Sequence, residues 1–255
     1  MEITSKQFMT FRELVYKESG INLHEGKEKL LIGRLSKRLK NTGIGSVDEY
    51  LKVLKGDKVE LMLFLDAIST NHTFFFRERH HFAYLKSGQS NNIWCSAASS
   101  GEEPYSIAID CLEKGFKPNI LATDISTNVL MIGERAIYPV ERIKDVPSYI
   151  VKKYFQNGHG RWAGHVRLKD EVKGMVTFKR LNLVSDAMPN QQFDIIFCRN
   201  VMIYFDNIAK ETLTNRLYNV LKLNGYLIVG GAESLSNLKH KYKYISPSIY
   251  KKVSN

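Results

Sequence analysis

Along the first eighty residues, apolar positions recur every three or four places, the spacing of amphipathic helices, with little of the two-residue alternation of a half-buried strand. Phe8, Phe11, Leu14 and Val15 share one face of "FMTFRELVYKESGI", which stops at Gly20. Leu31, Ile32, Leu35 and Leu39 do the same in "KEKLLIGRLSKRLKNTG", with Asn41 to Gly43 as the stop. Ser46 followed by Glu49 predicts a capping box at the start of "SVDEYLKVLKG", and "KVELMLFLDAIST" reads as a further apolar helix. Phe74, Phe75 and Phe76 are expected as core residues of a helix joining this part to the next.

From residue 92 the rhythm becomes strand, helix, strand. "IWCSAA", "NILATDIS", "MVTFKRLNL", "FDIIFCRN" and "GYLIVGG" are strands; "EEPYSIAIDCLEKG", "TNVLMIGERAIY" and "NIAKETLTNRLYNVLKLNG" are helices. That alternation predicts a doubly wound, mostly parallel α/β sheet. The expected organisation is a small all-α domain over residues 1–85 and an α/β domain over 86–255. Within the latter, residues 139–175 break the alternation with Gly-His-Gly and Ala-Gly turns, which predicts a small antiparallel β insertion.

Composition narrows this only a little. The 44% apolar and 25% charged residues describe an ordinary folded chain of 255 residues. No apolar run approaches the roughly 18 residues of a membrane span, and the charged, amphipathic start is unlike a signal peptide, so a cytoplasmic protein is expected. Cys95, Cys111 and Cys198 lie far apart in apolar contexts and are expected as buried thiols. The net charge of +11 calls for an anionic partner: nucleic acid, a membrane surface or an acidic protein.

The candidate chemistry begins at "CSAASSGEEP", which ends the first strand of the sheet. Ligands of such sheets sit beyond the carboxyl ends of the strands, and an acid ending the second strand, here Asp124, commonly accepts hydrogen bonds from ribose hydroxyls. The turn has one glycine, Gly101, where a dinucleotide fingerprint needs three, although its small residues still permit close approach. Glu102 would repel a phosphate. A ligand with a ribose, a cationic group and no phosphate fits better, and S-adenosylmethionine is one; alternatively the Glu102–Glu103 pair only decorates a helix N-terminus. Three more segments bring polar groups to the same crevice: Asn71, Thr73 and Arg77 before the sheet, Asn182 in "LNL", and Arg199, Asn200 and Tyr204 after "FDIIF".

The strings "TNHTFFFRERHHF", "WCSAASSGEEPYSIAI", "ATDIS" and "FCRNVMIYFD" closely resemble the chemotaxis receptor methyltransferase family, over nearly the whole chain. The resemblance implies the fold of a class I S-adenosylmethionine-dependent methyltransferase. It implies transfer of a methyl group from S-adenosylmethionine to glutamate side chains of chemoreceptor signalling helices, releasing S-adenosylhomocysteine. By the same resemblance Asn71, Thr73, Arg77, Ala98, Glu102 and Asp124 contact the cofactor, with Asn182 and Leu183 flanking the adenine and Asn200 and Val201 lining the methionine side. Arg77 and Tyr204 are the implied catalytic residues, and Ser100 stands where a threonine is common. The implied partners are the cytoplasmic helices of methyl-accepting receptors and, at the inserted sheet, a receptor C-terminal tail peptide. A monomer is expected, with no metal, no nucleic acid and no membrane insertion.

That reaction accounts for the poverty of catalytic groups. A glutamate carboxylate, with a pKa of about 4.3, is ionised near neutrality and needs no base, and a departing thioether needs no acid. The histidines show no metal-ligand spacing. Residues 27–40 hold Lys27, Lys29, Arg34, Lys37, Arg38 and Lys40 against Glu28 alone. Arg34, Lys37 and Arg38 share a helical face opposite the leucines, and the resemblance assigns that helix to receptor recognition; a solvated face is the plainer reading. Two other functions stay open on the sequence. A nucleic-acid methyltransferase would use the charge as a phosphate footprint and Phe74–Phe76 as a stacking platform, and its activity would collapse with salt. A non-catalytic module would bind the cofactor alone.

Overall fold

The computed structural model of the chain describes residues 1–24, 26–69 and 71–254. Its first part packs four helices, α1 (Ser5–Ser19), α2 (Glu28–Thr42), α3 (Val47–Gly56) and α4 (Lys58–Ile68). Side chains cap three of them. Thr4 and Gln7 form a reciprocal capping box on α1, the Ser46 hydroxyl accepts from Glu49 N on α3, and Asp57 accepts from Val59 N and Glu60 N on α4. The reciprocal bond expected of Glu49 is not formed. The apolar stripes meet in one core, where Phe11, Val15, Leu31, Leu35, Tyr50 and Phe64 are fully buried. Each such side chain contributes about 1.5–3 kcal/mol of burial.

The link to the sheet is not the expected α-helix. Phe76 and Glu78 take left-handed backbone angles, φ 59° and 51°, which break helical geometry before a 3-10 turn at Arg79–Tyr84. Three consecutive phenylalanines carry no period, so the sequence could not show this. Phe75 is core, edge-on to Tyr138 and Phe155, while Phe74 is largely exposed.

The main sheet follows through β1 (Asn92–Cys95), α5 (Glu102–Glu113), β2 (Asn119–Asp124), α6 (Thr127–Arg135), β3 (Ile137–Pro139), α7 (Ser148–Tyr154), β4 (Phe155–Asn157), β5 (His165–Leu168), α8 (Asp170–Lys173), β6 (Val176–Arg180), β7 (Phe193–Cys198), α9 (Asn207–Val220), β8 (Leu221–Val229), β9 (Lys243–Ser246) and β10 (Ile249–Lys251). Seven strands lie in the order β6-β2-β1-β7-β8-β10-β9, the first five parallel and β10 antiparallel to both neighbours. Central strands covered on both faces read as continuous apolar runs, as in Ile93-Trp94-Cys95 and Ile195-Ile196-Phe197. The winding reverses between β1 and β7, which opens a crevice at their carboxyl ends.

β3, β5 and β4 form the separate antiparallel sheet expected of the insertion. Ala136, left-handed at φ 55°, ends α6, so Ile137 and Tyr138 belong to this small sheet rather than to the helix. At the other edge, Lys252, just beyond β10, is buried although Lys241 and Lys243 before it are exposed. Its buried ammonium donates to Tyr218 O (3.0 Å) and Leu221 O (2.9 Å), closing the end of α9. All three cysteines are free and buried. Among the described residues no helix is long and apolar enough to cross a membrane.

Candidate active site

A cavity of about 300 Å³ lies beyond the carboxyl ends of β1, β2, β6 and β7. Residues 19–24, the segment leaving α1, close it from above, and Asn71, Thr73 and Arg77 form one wall. Asp124, the last residue of β2, sits on its floor. One carboxylate oxygen accepts from Ser99 N (2.8 Å) and the other from Ser126 N (3.0 Å), so each keeps a lone pair for a ligand hydroxyl. Burial raises the carboxyl above its usual range, against the N–H donors of Ser126 and Ser99, which favour its charge.

The turn after β1 is shaped by backbone. Ser99 and Gly101 are left-handed, φ 48° and 94°, and a Cβ on Gly101 would press to within 3.0–3.1 Å of Phe178, Gly133 and Tyr138. The Ser99 hydroxyl is buried on the cavity wall without a partner among the described residues, a polar atom placed for a ligand. Ala97 also faces the cavity, but Ala98 does not: it is fully buried with its N–H on Thr123 O.

Glu102 likewise stands off the wall. It is fully buried, accepts from Ser100 Oγ (2.7 Å) and pairs with Arg142 (3.3 Å), which also donates to Thr73 O. Its neighbour Glu103 lines the cavity instead. The helix begins at Glu102, so adjacent side chains diverge by about 100°, and only one of the two can face the crevice. That step along the helix is the signal by which Glu103 could have been chosen from the sequence.

Glu103 is bound to Arg199 (2.6 Å), which also reaches Glu78 (3.1 Å) and the carbonyl of Arg77 (2.8 Å). Burial opposes the charge on Arg199, but the carboxylates of Glu103 and Glu78 outweigh it and hold the guanidinium above its usual range. Arg77 itself is partly exposed; it donates to His72 O (3.0 Å) and lies 5.6 Å from the centre of the Phe74 ring. Asn71 donates to Ser69 Oγ (3.2 Å).

Asn182 and Leu183 line the cavity after β6, yet the Asn182 amide is already engaged. It donates to Glu18 O (2.5 Å) and accepts from Val184 N (3.0 Å), tying the end of α1 to this loop. Its backbone is engaged as well, the N–H donating to Asp186 Oδ2 (2.8 Å) and the carbonyl accepting from Asp186 N (3.0 Å), which leaves the Leu183 side chain for a ligand. After β7, Asn200, Val201 and Tyr204 border the cavity, and Tyr204 O accepts from Asn22 N (2.8 Å). No partner for the Tyr204 hydroxyl is found among the described residues. Nor does any group of three His, Cys, Asp or Glu among them suit a metal ion.

Away from the cavity, Arg34 and Lys37 are exposed on α2 as expected. Arg38 is not available with them. It grips Glu60 with both Nε (3.0 Å) and Nη2 (2.5 Å), and Tyr50 Oη donates to the same carboxylate. Position 38 is three residues beyond buried Leu35, which puts it at the margin of the core stripe. The sequence reading also missed the closing segment Ser19–His24, whose only signal was the Gly20 stop.

The chain matches two family descriptions, "CheR methyltransferase, all-alpha domain" over residues 6–69 and "CheR methyltransferase, SAM binding domain" over residues 71–251. It is 38% identical to Chemotaxis protein methyltransferase 2 of Pseudomonas aeruginosa, over 97% of this chain and 93% of that one. It is 39% identical to the chemotaxis protein methyltransferase of Borreliella burgdorferi, over 99% and 96% of the two chains. With the corresponding protein of Escherichia coli the identity is 34%, over 98% and 92%.

Proposed function

The chain belongs to the CheR methyltransferase family, and we propose that it methylates glutamate side chains of chemoreceptor cytoplasmic helices with S-adenosylmethionine, giving methyl esters. The observation that carries this reading is the pairing of Asp124 with Ser99 in one cavity. A buried acid with spare lone pairs lies beside a buried hydroxyl that has no partner among the described residues, next to a turn that offers no cation to a phosphate. Such a floor suits a ribose, and the turn beside it, with one glycine and two adjacent glutamates, does not suit a pyrophosphate.

When bound, S-adenosylmethionine supplies a methyl group on a sulfonium that departs as a neutral thioether. The chain's own part is alignment and exclusion of water, for which effective molarity can contribute several kcal/mol. Asp124 and Ser99 hold the ribose; Asn182 and the Leu183 side chain flank the base. Glu103 and Glu78, bound to Arg199, keep the Arg77 backbone at the wall, so the Arg77 guanidinium can orient an incoming carboxylate. The Tyr204 hydroxyl donates to an oxygen of that carboxylate. Neither contact can be strong, because the nucleophile loses its charge in the transition state and a tight grip would hold it back.

Arg34 and Lys37 are the recognition residues in this reading, attracting an acidic receptor helix. The inserted sheet is the place for a receptor tail, and the protein acts in the cytoplasm as a monomer. The test is incubation with methyl-labelled S-adenosylmethionine, a receptor cytoplasmic fragment and, separately, RNA. Base-labile label on receptor glutamates supports the reading; label on RNA, or none on the fragment, overturns it.

A further inference from the structure

The loop carrying Asn200, Val201 and Tyr204 leaves β7 in a conformation that needs external support. Asn200 sits in the left-handed region at φ 58°, which asparagine tolerates but does not favour. The support is Glu233, in the turn beyond β8 and almost wholly buried. One of its carboxylate oxygens accepts from Asn200 N (2.8 Å) and Gly230 N (2.6 Å), and the other from Ile203 N (3.2 Å). The junction has no spare room: a Cβ on Gly230 would come to 2.6 Å from Asn200 Nδ2 and 2.8 Å from Glu233 Oε2. All three partners of Glu233 are donors, so both of its carboxyl oxygens must act as acceptors.

We propose that Glu233 is a positioning residue for the reaction, fixing Asn200 and the turn that carries Tyr204 against the cavity. This rests on the methyltransferase reading for its meaning but not for its test. Glu233 touches neither wall nor ligand site; it acts through the backbone of the residues that do. A glutamine of the same shape would point its NH2 at one or more of the three N–H groups, and the loop would leave its place.

The experiment compares wild type, Glu233→Gln and Gly230→Ala. The first readout needs no ligand: hydrogen exchange of the backbone amides of residues 198–205. Both variants should exchange faster there, because Glu233→Gln loses acceptors and Gly230→Ala forces the Asn200 side chain away from the same junction. The second is calorimetric titration with S-adenosylhomocysteine, whose affinity should fall about tenfold per folded molecule, the effect of one buried donor left unpaired. The third is kcat on the receptor fragment, which should fall at saturating cofactor. A purely structural role predicts a lower melting temperature with wild-type exchange in 198–205 and wild-type affinity at temperatures where the variants are folded; that result overturns the proposal. Should wild type fail to methylate the fragment, the proposed function fails, while exchange at 198–205 still decides the role of Glu233. If Glu233→Gln does not fold, Gly230→Ala, which keeps the carboxylate group but crowds its junction with Asn200, carries the same comparison.

Discussion

The basic face of α2 and the ion cluster beneath the cavity use the same chemistry under opposite conditions. Arg34 and Lys37 stand in water with no ion pair among the described residues, whereas Arg199 is buried with Glu78 and Glu103 both within 3.1 Å. In water such charges contribute little to stability but act at a distance, within a Debye length, as attraction for a partner. Buried, they act only at contact, are scarcely screened, and cannot lose one member without stranding the others. Arg38 shows the boundary within a single helix: one residue from Lys37, it belongs to the buried kind through Glu60 and Tyr50. Charge on the outside finds the substrate, and charge on the inside holds the site in shape.

Breaking the inner cluster should have the largest effect. Arg199→Met leaves the partly buried Glu103 without its ion-pair partner and removes one from Glu78, and should destabilise the protein by about 3–5 kcal/mol, read in chemical denaturation. Next comes Arg38→Met, which leaves buried Glu60 with the Tyr50 hydroxyl but no countercharge; about 2–3 kcal/mol is expected, with cofactor affinity unchanged.

His81 extends the inner cluster into a pH dependence. Burial, aided by the charges of Arg199 and His80, lowers its pKa from 6.5 to about 4. The unfolded chain therefore binds a proton that the folded chain refuses, and stability should be lost as pH falls from about 6.5 to about 4, on the order of 2–3 kcal/mol. Thermal melts of wild type and His81→Phe across that range would measure it, the variant giving the flatter curve.

The smallest change in stability, within about 0.5 kcal/mol, belongs to Arg34→Glu with Lys37→Glu. Its effect should appear in kcat/KM for the receptor fragment, lowered at low salt and with a flatter salt dependence, because screening has less attraction left to remove. Wild-type activity should fall as the Debye length shrinks from about 10 Å at 0.1 M to about 3 Å at 1 M. Matching kinetics at every salt concentration would leave α2 with a merely solvated face.

The outer half of this contrast was legible in the sequence and the inner half mostly was not. Helical periodicity found α1 to α4, and strand–helix alternation found the parallel sheet with Asp124 at the end of its second strand, because both depend on local spacing. Arg38 and Glu60 are 22 residues apart, and Arg199 and Glu103 are 96 apart. No local pattern announces such pairs. The resemblance pointed to Glu102, whereas the helix that starts at that residue turns Glu103 to the cavity. Ala98, Ser99 and Glu233 depend on turn geometry and backbone donors, which sequence composition does not carry.

All of this rests on the cavity at the strand ends holding a ribose-bearing cofactor on Asp124, and calorimetric titration of S-adenosylhomocysteine tests it most directly. Wild type should bind one equivalent, and Asp124→Asn should bind more weakly by about 1.5–3 kcal/mol, roughly ten- to a hundredfold, while remaining folded. An Asp124→Asn protein that binds with wild-type affinity would contradict the account.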